Sequence, residues 1–181
     1  MLSVNGARLL ERINELGTIG KDEEGRRTRL AASDTEKQGR DKVVSWMEDA
    51  DLKVVVDRIG NIFGIWETAE NKDKKPLMIG SHIDTVINAG QYDGCLGVIG
   101  AIEVIRTLKE AGRQSERPIV VCAFTNEEGV RYSPDMMGSL VYAGGLPVDQ
   151  VLKTVGTDGT ILGEELKRIG YVGSVEPGFL Q

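Results

Sequence analysis

Pro118-Ile119-Val120-Val121-Cys122-Ala123-Phe124, residues 118–124, is an apolar run without polar alternation. A strand of that kind is buried on both faces, as in a parallel sheet covered by helices. Pro76-Leu77-Met78-Ile79-Gly80 is a second such run, and Cys95 to Ala111 between them is apolar nearly all round in its first half. That segment reads as a buried helix closed by Gly112. Strand, buried helix and strand at this spacing predict a βαβ unit and an α/β fold, a helix-covered sheet with a parallel core.

Upstream, Leu9, Leu10, Ile13 and Leu16 recur at helical spacing over residues 5–17, with Gly17 and Gly20 as stop signals. Residues 21–30 are charged and read as a loop. Ser33 and Glu36 fit a capping box opening a helix that runs to about Ala50, with Val43, Val44 and Met47 on one face. Leu52–Asp57 and Ile62–Trp66 flank Gly60-Asn61 and predict a hairpin. Asn71–Lys75 reads as a solvated loop. From Met136 the chain is glycine-rich with short helices; Thr160 is expected to cap the last, which ends near Gly170. The tail from Val172 to Gln181 shows no element of its own.

The 181 residues are 40% hydrophobic and 28% charged, a globular composition. The formal charge of −6 argues against a nucleic-acid footprint. No apolar run is long enough to span a bilayer, and the first residues lack a signal pattern. Cys95 and Cys122, both in apolar runs, read as buried reduced thiols, so a cytoplasmic location is expected. Neither strand is followed by Gly-x-Gly-x-x-Gly, and no Gly-x-Ser-x-Gly elbow is present.

In an open α/β sheet, ligands bind beyond the carboxyl ends of the strands. The first apolar strand runs into Ser81-His82-Ile83-Asp84-Thr85 and the second into Thr125-Asn126-Glu127-Glu128-Gly129, while Gln91-Tyr92-Asp93-Gly94 opens the buried helix. His82 is the only histidine of the chain. On an extended segment His82 and Asp84 point to one face, which lets Asp84 take an imidazole N–H and fix its tautomer. Asp93, Glu127 and Glu128 add three carboxylates, which repel unless a cation holds them. Taken singly, each residue also has a structural reading: a histidine after a strand, an Asp-Gly turn, a solvated Glu pair. By spacing alone a divalent-metal site and that structural reading stand level.

The four segments Gly80–Val86, Gly90–Gly94, Phe124–Tyr132 and Met137-Gly138-Ser139, in that order, resemble the bacterial amidase/carbamoylase group. The group comprises N-carbamoyl-L-amino-acid hydrolases, allantoate amidohydrolases and β-ureidopropionases, within the M20 metallopeptidase superfamily. The resemblance implies a hydrolase of linear ureido or amide C–N bonds that uses two divalent ions, zinc or manganese, nickel or cobalt. His82 would bind one ion, Asp93 would bridge both, Glu128 would bind the other, Glu127 would be the general base, and Asp84 would orient His82. Some superfamily members have a cis peptide after the bridging aspartate, which here would be Asp93–Gly94. The substrate-binding residues are unknown.

The resemblance covers the N-terminal portion of much longer relatives. It implies that residues 1–181 form a single, incomplete metallohydrolase catalytic domain. The family's further metal-binding histidines, and the lid domain through which it forms homodimers, have no counterpart in the 181 residues. A four-coordinate ion wants about three protein ligands plus water. Weak or single-site metal binding and little independent activity are therefore expected. The implied partner is a small ureido or carbamoyl amino-acid substrate, with no nucleic acid and no membrane.

Overall fold

The two apolar runs are neighbouring parallel strands in the computed structural model, which describes residues 2–181. The first is β3 (Leu77–His82) and the second β4 (Ile119–Phe124), with α3 (Cys95–Glu110) between them in sequence; before them come α1 (Gly6–Thr18), α2 (Asp34–Glu48), β1 (Lys53–Val56) and β2 (Ile62–Trp66). After β4 follow three short helices, α4 (Met137–Tyr142), α5 (Val148–Val151) and α6 (Leu162–Arg168). The register runs from Leu77↔Ile119 to His82↔Phe124, so β3 and β4 end side by side. The predicted βαβ core and α/β class are what the chain builds.

The sheet is mixed, in the order β1-β2-β4-β3. The predicted hairpin forms around Gly60, whose φ of 86° supplies the left-handed turn. Its second strand then pairs antiparallel with β4, from Ile62↔Ala123 to Trp66↔Ile119. This insertion follows from burial: β2 is covered on both faces, so it needs a partner on each side.

Two apolar layers result. On one face, Ile62, Val121 and Ala123 pack with Val43 and Met47 of α2 and with Val98, Ile99 and Ile102 of α3. On the other, Phe63, Ile65, Val120 and Cys122 form a smaller cluster covered by Tyr142, Phe179 and Leu180. The tail, although without an element of its own, thus closes the second layer; the Phe179 ring meets Phe63 edge-on at 5.2 Å. Helix α3 lies close against β3, because a Cβ at Gly97 would come within 2.8 Å of the Ser81 Cβ.

The caps show where local signals hold and where they give way. Asn5 caps α1 by accepting from the Arg8 N–H. Ser33 caps α2 by accepting from the Glu36 N–H at 3.1 Å. The reciprocal half of the capping box is absent, since the Ser33 N–H already donates to Leu30. The Glu36 carboxylate instead accepts from the Ala32 N–H and pairs with Arg40. Thr160 does not cap α6: its hydroxyl bonds Asp158 and Tyr132, and Ile161 occupies the cap position without a side-chain bond. Both cysteines are buried and free. Among the described residues no helix is long and apolar enough to cross a membrane.

Candidate metal centre

His82 is the last residue of β3 and is buried. Its Nδ1 lies 2.9 Å from the Asp84 carbonyl oxygen. A carbonyl can only accept, so Nδ1 carries the proton and Nε2 is left with a free lone pair. Nε2 is 3.3 Å from Glu127 Oε2 and 3.7 Å from Asp93 Oδ1. This is the tautomer a metal-binding imidazole requires.

Asp84 performs that orientation by its main chain and not by the carboxylate expected from the His-x-Asp spacing. The alternation of side chains stops where β3 stops, at His82. The Asp84 carboxylate lies 3.7 Å from Nδ1 and turns to the neighbouring strand end. There it accepts the N–H groups of Glu127 at 3.2 Å and Glu128 at 3.1 Å. Burial pushes its carboxyl up to about 6, the nearby Glu36 charge adds to this, and His82 opposes it. One residue therefore fixes the histidine on β3 and the glutamates after β4.

Asp93 stands exposed at the rim, just before α3. The turn into the helix is made by Gly94, with φ 63°. A Cβ there would meet the His82 carbonyl at 2.5 Å and the imidazole at 2.6 Å, so only glycine lets Asp93 pass this close to the ring. The Asp93–Gly94 peptide is trans; among the described residues the cis bond is Ser133–Pro134. The cis bond found after the bridging aspartate in some superfamily members is not retained here, and the left-handed Gly94 makes the turn into α3.

Glu127 and Glu128 follow β4 after Thr125 and Asn126. Glu128 Oε1 is buried with no hydrogen-bond partner. Burial pushes the Glu128 carboxyl above its ordinary range; the charges of Asp93 and Glu127 add to this, while His82 and the Val86 N–H oppose it. One ligand atom each from His82, Asp93 and Glu128 lie within 4.8 Å of one another. An imidazole with a free lone pair, two carboxylates and an orphaned buried oxygen fit a divalent cation. The structure thus brings together His82, Asp93, Glu127 and Glu128, and places Asp84 behind them.

Two supporting residues had no distinct signal in the sequence. Asn61, legible only as half of a turn, accepts from the Thr125 N–H at 2.9 Å and donates to the Gly138 carbonyl at 3.0 Å. Fully buried Arg40 donates to the Gly60 carbonyl and to the Thr125 hydroxyl. Together they fix the end of β4, from which the glutamates emerge.

Known proteins of similar sequence and fold place the chain in a family. The model of peptidase family M28 matches residues 61–174. An N-carbamoyl-L-amino-acid amidohydrolase of Rhizobium meliloti is 38% identical over 97% of this chain and 42% of its own length. A probable allantoate deiminase of Oryza sativa subsp. japonica is 43% identical over 86% of this chain and 32% of its own. A crystal structure of a hydantoinase/carbamoylase family amidase from Burkholderia ambifaria superimposes with a TM-score of 0.94 and 38% identity, covering 98% of this chain and 44% of that one. The chain spans about a third to two-fifths of the length of these curated relatives. The superfamily expected from the motifs was M20, and the matching family model carries the description M28. By that model the chain belongs to peptidase family M28, and it is similar over nearly its whole length to the N-terminal part of hydantoinase/carbamoylase-type amidases.

Proposed function

We propose that these residues supply one side of a two-metal amidohydrolase centre that cleaves linear ureido or amide C–N bonds, with N-carbamoyl-L-amino acids or allantoate as the substrate class. The observation that carries the reading is the convergence of His82, Asp93 and Glu128 within 4.8 Å, with the Glu127 carboxylate 3.3 Å from the His82 Nε2. The names of the relatives support the substrate class. In this reading His82 would hold one ion, Glu128 the other, and Asp93 would serve both; zinc, manganese, nickel and cobalt all suit such a donor set.

When bound, divalent ions make a water more acidic and polarise a carbonyl. The chain's own residues do the rest. Glu127 takes the proton of the attacking water and returns it to the departing nitrogen. Asp84 keeps Glu127 and Glu128 in place through their N–H groups. Its carbonyl keeps the His82 Nδ1 protonated and Nε2 free. Cleavage of a carbamoyl group releases the amino acid, ammonia and carbon dioxide.

Counting Asp93 twice, the 181 residues offer two ligands per ion, fewer than the three or so of an ordinary site. By themselves they bind metal weakly and turn over little. Zinc and manganese calorimetry with elemental analysis, beside His82→Ala, tests the reading. Binding of one or two ions that collapses in the variant supports it, and equal binding by both proteins overturns it. A peptidase or aminoacylase reading is favoured by one observation, the peptidase family description. A chimera with the remainder of a carbamoylase relative, assayed on N-carbamoyl and N-acyl amino acids, separates the two. If Glu127→Gln leaves that chimera fully active, the chain is a non-catalytic remnant of the fold.

A further inference from the structure

Asn126 immediately precedes the two glutamates after β4, and its environment is unlike that of an ordinary loop residue. Its φ is 52°, in the left-handed region that side chains with a Cβ avoid. Its side chain is fully buried. The amide Nδ2 donates to the carbonyls of Tyr132 at 2.8 Å and Pro134 at 3.1 Å. Its own carbonyl accepts the Met137 N–H at 3.2 Å, and the Glu127 carbonyl accepts that of Met136 at 2.7 Å. The amide Oδ1 is buried without a partner. A strained backbone and an orphaned acceptor at one residue persist only where the surroundings over-determine the conformation.

The segment is held from two sides. The Asp84 carboxylate takes the N–H groups of Glu127 and Glu128. The Asn126 amide takes the carbonyls of the returning loop 132–134. We infer that Asn126 is a positioning residue for Glu127 and Glu128. Its left-handed backbone turns the chain out of β4 so that both carboxylates face His82, and its amide locks that turn against the loop behind it. The inference deepens the metal-centre reading above and rests on it.

The side-chain alternatives separate the two contributions. Glycine accepts the left-handed φ but has no amide to lock the turn. Aspartate also tolerates the φ but sets acceptor oxygens against two carbonyls. Asn126→Gly and Asn126→Asp therefore remove the lock while sparing the backbone. The wild-type chain and both variants are titrated with Co(II), read by visible absorption and calorimetry, alongside amide hydrogen exchange and far-UV circular dichroism.

In both variants cobalt affinity should fall by about tenfold or more, with a shifted absorption band. The amides of Glu127 and Glu128 should exchange faster, while β2 and α3 amides and the dichroism stay as in the wild type. Unchanged affinity, band and exchange at 127 and 128 would overturn the inference. If Asn126→Asp does not fold, Asn126→Gly carries the test. If the wild type binds no cobalt, the metal reading falls and exchange alone decides the role of Asn126. Faster exchange confined to residues 126–137 upholds it, and unchanged rates overturn it.

Discussion

Two buried polar clusters in this chain have opposite characters. Around Arg131 every charge is answered: its guanidinium donates to Asp158, to Glu165, to Thr160 and to the Ala31 carbonyl. The Glu165 carboxyl is held below its ordinary range, by Arg168 first and also by Arg131. At the ends of β3 and β4 three carboxylates surround one imidazole, and the carboxyls of buried Asp84 and half-buried Glu128 are pushed up by burial. Polar burial is common to both clusters and so does not mark a site. What marks it is uncompensated like charge, which a stable fold keeps only where something else is meant to arrive.

The comparison can be broken at several points. Arg131→Ala removes a buried guanidinium and its bonds to Glu165, Asp158, Thr160 and Ala31, leaving Glu165 to Arg168 alone, and should cost on the order of 3 kcal/mol in urea unfolding. The metal affinity of the folded protein should not change; a parallel loss would merge the two clusters into one. Asp57 is an intermediate case, fully buried and hydrogen-bonded to Asn61 and Ile59 without a paired cation. Burial pushes its carboxyl up to about 6, against those bonds. An aspartate in the unfolded chain titrates near about 3.9. Between those values the native chain keeps a proton that the unfolded chain has released. Its contribution to stability is therefore complete below about pH 4 and declines as pH rises through about 6, by up to about 3 kcal/mol. Asp57→Asn should remove that decline, seen as a difference between the two stability curves that changes from pH 4 to 7. A constant difference would place Asp57 with the compensated groups.

Gly94→Ala forces a Cβ into the His82 ring and should weaken zinc binding on the order of 100-fold by calorimetry. Unaltered binding would show that His82 is not a ligand. The smallest effect sharpens the contrast most. Glu128→Gln removes one of the crowded charges, so the metal-free chain should gain about 1 kcal/mol in thermal unfolding while zinc binding weakens by about tenfold. A loss of stability would mean that Glu128 is already compensated.

Much of this was legible locally. The runs at 76–80 and 118–124 named their own strands, but only β4 is buried on both faces; β3 lies at the sheet edge with Leu77 exposed, against the expectation of two covered strands. The ends of those strands placed His82, Asp93, Glu127 and Glu128 at one edge before any geometry was known. What escaped was non-local. The pairing of β2 with β4 depends on residues that lie far apart along the chain. The turn of the Asp84 carboxylate depends on β3 stopping one residue short of Ile83. Thr160 has the chemistry of a cap but is taken by Tyr132 and Asp158, and Asn126 looks like any asparagine after a strand until its left-handed φ is seen.

The seam between β1 and the tail carries a consequence for time. The Arg58 N–H donates to the Val175 carbonyl, the Gly173 N–H to the Asp57 carbonyl, and the Arg58 side chain pairs with Glu176 across a separation of 118 positions. Asp57 and Asn61, which brace the end of β4, are sealed by residues made more than a hundred positions later. At about 5–20 residues per second a ribosome needs on the order of ten seconds to cover that interval. Through it the nascent chain holds a hairpin whose buried aspartate is still wet, and closing so long a loop is a slow, late step. The candidate metal-binding edge of this protein is thus braced only once residue 176 has been made, although its own residues, up to Glu128, are made well before.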